Sequence, residues 1–84
     1  MNYATKVRVL RALHGISQIE LGVITGLANF DLSKIETGKM LPSESWDRAI
    51  HTGLGWTPAV DAALDALEKA VAVPATEEAA CQAK

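Results

Sequence analysis

Cysteine is almost missing from this chain of 84 residues. Cys81 stands alone, so there is no disulfide framework and no cysteine pair for a metal. His14 and His51 lie far apart and share no ligand spacing; a structural or surface role suits each better than a metal. Long apolar runs are lacking too, and none approaches the ~18 residues of a membrane span. The opening MNYATKVRVL has neither the apolar segment nor the small-residue cleavage site of a signal peptide. These absences point to a cytoplasmic protein without a membrane partner. Alternating apolar and polar residues are not sustained anywhere, and no Asn-Gly or Asp-Gly turn joins β-branched runs, so no strand is expected. No acid–base pair, activated nucleophile or metal spacing stands out, so an enzyme is poorly supported and no cofactor is implied.

Excess charge is also lacking. The net charge of −2 argues mildly against a nucleic-acid partner when taken as a whole. Its distribution argues differently. Residues 1–42 carry Lys6, Arg8, Arg11, Lys34 and Lys39 against Glu20, Asp31 and Glu36, whereas residues 43–84 carry three bases and seven acids. The N-terminal half is therefore the candidate partner surface, and the C-terminal half an acidic, solvated one. A hydrophobic fraction of 49% with 21% charged residues is that of a folded globular chain, and the length fits one domain.

What the chain does have is helix punctuation. Asn2 can cap a first helix to about Leu13, with Val7, Leu10 and Leu13 as its apolar stripe and Gly15 as its stop. Ser17-Gln18-Ile19-Glu20 is a capping box that opens a second helix carrying Leu21 and Ile24, ended by Gly26. A third helix spans about Asn29 to Glu36, with Gly38 and Pro42 beyond. A fourth runs from about Glu44 to Thr52, its apolar face continued by Trp46, Ile50 and Leu54. Thr57-Pro58 starts a fifth that Pro74 is expected to close after Val73. The tail PATEEAACQAK is small and polar and is expected to fray as a flexible segment over 74–84.

Two short helices joined around a glycine have the pattern of a helix-turn-helix. The segment ISQIELGVITGLANFDLSKIETGKMLP, residues 16–42, resembles the Cro/C1-type (XRE) helix-turn-helix family. The resemblance is carried by Ser17-Gln18, Glu20-Leu21, small Gly22, the Gly26-Leu27 turn, Leu32 and Ile35, Glu36-x-Gly38-Lys39 and Pro42. Ile50, Leu54 and Gly55 extend it, so that it covers roughly two thirds of the chain. It implies an all-α, five-helix, lambda-repressor-like DNA-binding domain over residues 1–73, with helices 2 and 3 as the helix-turn-helix. It further implies a transcriptional regulator that binds double-stranded DNA in the major groove. Stand-alone members of this kind include phage repressors, restriction–modification controllers and antitoxin-type autoregulators.

At ~100° per residue, Leu32 and Ile35 set the inward face of helix 3, and Phe30, Ser33, Lys34 and Thr37 fall opposite. Asn29, Phe30, Ser33 and Asp31 are the candidate base readers. Asn29 either caps helix 3 or contacts adenine, and the two roles are compatible. Phe30 suits a thymine methyl. Asp31 suits the helix dipole first and a cytosine amino group second. Lys34, Thr37 and Lys39 are candidate phosphate contacts, and Gln18 resembles the family's phosphate-contacting glutamine. Arg11 and Glu36 occupy positions where the family pairs a base with an acid to lock helix 1 to helix 3. Trp46 and Trp56, with apolar neighbours at helical spacing, read as core.

On helix 5, about 58–73, Val60, Leu64, Leu67 and Val71 form a coiled-coil-like stripe. Either it completes the monomer core or it is the seam of a homodimer; a dimer is favoured because two modules read a palindrome that one cannot. The expectation is a dimeric repressor of a palindromic operator. Its rival is an antitoxin or adaptor that turns the same helix to a protein partner, favoured by exposed Phe30 and by the negative net charge.

Overall fold

The computed structural model describes residues 1–82, with side chains described as far as residue 71. Five α-helices follow one another, α1 (Tyr3–His14), α2 (Gln18–Thr25), α3 (Asn29–Glu36), α4 (Glu44–Leu54) and α5 (Pro58–Gln82), with no strand among the described residues. The chain is all-α. None of these helices is long and apolar enough to cross a membrane.

Local chemistry explains the starts. Asn2 accepts from the Thr5 amide at 2.8 Å. Ser17 and Glu20 bond each other's backbone amides, both at 3.0 Å. Ser43 accepts from Trp46. Each satisfies amides that the first turn of a helix leaves unpaired.

The core gathers Val7 and Leu10 of α1, Leu21 of α2, Leu32 and Ile35 of α3, Ile50 and Leu54 of α4 and Leu64 of α5, with Leu27 and Trp56 from the connections. Trp46 packs against it, partly buried. Full burial of such a side chain is worth roughly 1.5–3 kcal/mol. An exposed ion pair such as Arg48–Glu44 adds at most about 1 kcal/mol. Burial therefore dominates the stability of this small domain.

Several expected positions change. Leu13 is 74% exposed rather than part of the α1 stripe. Residues three apart step back by about 60° on a helix, so from Val7 to Leu13 the face has turned by about 120°. Ile24, expected beside Leu21, is exposed and edges an open groove between α2 and α4 that Arg48 and Thr52 also line. Helix α4 runs two residues further than expected, to a left-handed Gly55.

Helix α5 does not end at Val73 but continues through Pro74 to Gln82. A proline inside a helix removes one hydrogen bond and crowds the preceding turn. The alanine-rich sequence on both sides offsets part of that cost through its high helix propensity. The flexible tail expected over 74–84 falls where side chains are not described, and residues 83 and 84 lie outside the described residues.

Candidate nucleic-acid interface

The placement of α3 begins at a glycine. Gly26 ends α2 in the left-handed conformation, φ 77°, with its amide bonded to the Gly22 carbonyl at 2.8 Å. Gly22 makes the tight fold-back possible in another way: a Cβ there would lie 2.8 Å from the Leu27 carbonyl oxygen. The chain then enters α3 at Asn29, with Leu32 and Ile35 almost wholly buried beneath it.

A bidentate ion pair ties the far end of α3 to α1. Arg11 donates from Nε to Glu36 Oε2 at 3.1 Å and from Nη2 to Oε1 at 3.0 Å. Its Nη1 donates to the Ile16 carbonyl at 3.2 Å. The Glu36 side chain is only 4% exposed, so this carboxylate has left water and depends on the guanidinium for compensation. With core behind it and this clamp at its end, α3 has little freedom to tilt.

Its outer side is open. Asn29 and Ser33 are exposed, Asp31 is half-buried, and Phe30 is 67% exposed. Asn29 is not the cap of α3. The cap position is Ala28, which supplies no side-chain hydrogen bond, because a methyl group has no acceptor to offer. The Asn29 side chain is thus placed one residue inside the helix and faces solvent.

The candidate phosphate contacts divide. Gln18 opens α2, half-exposed, and Lys39 is exposed just past the left-handed Gly38 that follows α3. Thr37 is exposed, but its hydroxyl bends back to donate to the Ser33 carbonyl at 2.9 Å, with the Lys34 carbonyl at 3.2 Å. Lys34 is half-buried, and its Nζ sits 4.3 Å from the Phe30 ring centroid. That pairing was legible only as a spacing of four along a helix. Ile19 and Val23, also exposed, give the outer face of α2 an apolar character that residue-by-residue reading did not weigh.

The proposed seam on α5 splits in two. Leu64 belongs to the monomer core and Val60 packs against it. Leu67 is 48% exposed and Val71 52% exposed. The stripe keeps its direction along α5, but the domain beneath it ends.

A second polar cluster lies where α1, α4 and α5 meet, around an open groove of about 580 Å³. Tyr3 donates to Asp47 at 2.6 Å. Lys6 Nζ lies 2.8 Å from Asp61 and 3.2 Å from Asp65, and the Trp56 indole donates to Asp61 at 3.0 Å. His51 stacks on Trp56 with ring centroids 4.0 Å apart, and its Nδ1 donates to the Trp56 carbonyl at 2.9 Å, which fixes the proton on that nitrogen. His14 Nε2 likewise meets the Leu54 carbonyl at 2.6 Å. The Met1 amine pairs with Glu68.

These contacts perturb the groups that make them. Burial, then the hydrogen bond to Asp47 and its charge, push the Tyr3 phenol well up. The hydrogen bond to Asp61 outweighs burial and raises Lys6, with Asp65 adding to it. The bonds from Lys6 and then Trp56 hold Asp61 below the ordinary 3.8. No buried side-chain polar atom among the described residues lacks a partner, and the Lys6 pairs and the Trp56–Asp61 bond fasten α5 to the body.

Compared with known proteins, the chain matches no protein-family model, no curated protein and no solved structure.

Proposed function

We propose that this chain is a sequence-specific regulator of transcription that binds double-stranded DNA, a helix-turn-helix protein in which α3 enters the major groove. The observation that carries this reading is the two-sidedness of α3. Leu32, Ile35 and Glu36 are buried behind it, while Asn29, Phe30 and Ser33 stand in solvent. An exposed helix about 10–12 Å across fits a groove about 12 Å wide. Lys6 and Arg11 are taken up by Asp61, Asp65 and Glu36, so attraction to phosphate falls to the exposed Arg8 and Lys39, which enter no described ion pair. The protein acts in the cytoplasm as a homodimeric repressor on a palindromic operator, with half-sites ~34 Å apart or a multiple of that. Leu67 and Val71 on the overhanging part of α5 support self-association, since they prolong an apolar stripe that the monomer leaves uncovered.

A second reading, an adaptor or antitoxin-type protein with a protein partner, is favoured by one specific observation: Ile19 and Val23 on α2 and Phe30 on α3 are each large, apolar and exposed. Salt separates the two. Binding through phosphates falls steeply and linearly in log–log form as salt rises, whereas apolar docking does not weaken in that way. Gel shifts against the DNA upstream of its own gene, and against random duplex, are expected to show salt-sensitive binding with preference for the first. Absence of any shift at low salt sinks the regulator reading.

A further inference from the structure

We infer that Lys34 reads a base, acting together with Phe30, and does not serve as a phosphate anchor. The half-site then holds a guanine within about two base pairs of a thymine. This rests on the DNA-binding reading above and assigns the chemistry of its recognition helix.

The first reason is angular. At ~100° per residue, Phe30 and Lys34 lie about 160° from Leu32, one on each side, so the crest of α3 runs between them. Ser33 and Asp31 lie about 100° away, on opposite flanks. In a helix laid along a groove, the crest meets base edges on the floor and the flanks meet the phosphate walls. A lysine on the crest is aimed at the floor.

The second reason is that the lysine is already held. Its ammonium sits over the Phe30 ring at 4.3 Å, although Asp31 stands three residues away on the same helix. Among the described ion pairs Lys34 takes no part. A free lysine loses much rotamer entropy when a single acceptor captures it. The ring has removed part of that freedom before any DNA arrives. An ammonium over a ring face still has N–H groups directed away from the ring, free to meet acceptors.

The chemistry then names the bases. Lysine donates to guanine O6 and N7, and an apolar ring surface suits the thymine methyl. Four residues advance a helix by about 6 Å, and neighbouring base pairs are ~3.4 Å apart, so both contacts fall within two steps. The Thr37 hydroxyl, turned back onto its own helix, does not compete for the same edges.

The test compares the wild-type protein with Lys34→Met and Phe30→Ala. Bound duplexes are selected from random DNA for each, and affinities are then measured on the wild-type site with uracil replacing thymine or 7-deazaguanine replacing guanine. Lys34→Met is expected to lose preference at one guanine position by roughly 5- to 150-fold. It should also become indifferent to 7-deazaguanine there. Phe30→Ala should become indifferent to the thymine methyl and lose part of the guanine preference, because its lysine is released. The inference is overturned if Lys34→Met weakens all sequences evenly and lowers the salt slope by about one, the behaviour of a phosphate contact. If wild-type protein binds no duplex at all, the DNA-binding reading itself has failed.

Discussion

Two polar regions of this protein use similar residues to opposite ends. Where α1, α4 and α5 meet, Tyr3, Lys6, Asp47, His51, Trp56 and Asp61 hydrogen-bond, stack on and pair with one another. Along the outside of α3, Asn29 and Ser33 face solvent, and the Lys34 ammonium lies over the exposed Phe30 ring. Polar groups that satisfy each other fix architecture, and those left open are available to a partner. The difference also shows why a groove with titratable lining is not by itself a site.

The contrast breaks most sharply on α5, which crosses from one regime to the other. Leu64→Asp buries a carboxylate without a partner and should cost about 3–5 kcal/mol, enough to unfold much of the protein in a denaturant titration. Leu67→Asp, one turn on and half-exposed, should change stability by no more than about 0.5 kcal/mol. By sedimentation it should convert a dimer into a folded monomer. Equal loss of fold in both variants would make the whole stripe core.

Next comes the clamp that orients α3. Glu36→Gln keeps the shape but removes the charge facing Arg11. It should cost about 2–3 kcal/mol by chemical denaturation, below the range for a fully enclosed pair because Arg11 retains some solvent. If the variant is as stable as the wild type, the orientation of α3 depends on burial alone.

On the open side the expectation reverses. Asn29→Ala should leave the melting temperature unchanged, since its side chain caps nothing. It should lower specific DNA affinity by about 1–3 kcal/mol and non-specific affinity far less. Loss of both in equal measure would make Asn29 a positioning group.

The smallest effect is expected from pH in the closed cluster. The folded pKa of Asp61 is depressed, so its stabilising contribution is present above the ordinary 3.8 and is lost as pH falls through the lower folded value. The Lys6 contribution runs the other way: it is present below 10.5 and is lost as pH rises through the raised folded value. Asp61→Asn should flatten the fall of melting temperature between neutral pH and about pH 3. A variant curve parallel to the wild type would remove Asp61 from the acid response.

Much of the fold was legible because its signals are local. The Ser17–Glu20 box, the Asn2 cap, Gly26 and Thr57-Pro58 act within three or four residues, and the starts they imply hold for α1, α2 and α5. The outward direction of Phe30, Ser33 and Lys34 followed from helical periodicity around Leu32 and Ile35. Leu13 was misjudged, and the Val60–Val71 stripe divides between core and surface, for a common reason: periodicity gives the direction of a side chain but not whether another element lies in that direction. The Tyr3–Asp47 and Lys6–Asp61 contacts span 44 and 55 residues, and no spacing rule reaches so far.

By itself, the sequence determined the all-helical class, the order of the five helices and most of their ends, because capping, turn chemistry and periodicity act over one or two turns of chain. Only the tertiary structure decided that Leu64 is core while Leu67 is surface, that Lys6 is enclosed by α5 carboxylates, and that Lys34 rests on Phe30. Burial and side-chain pairing depend on what the rest of the chain brings alongside, and for that the folded chain as a whole is required.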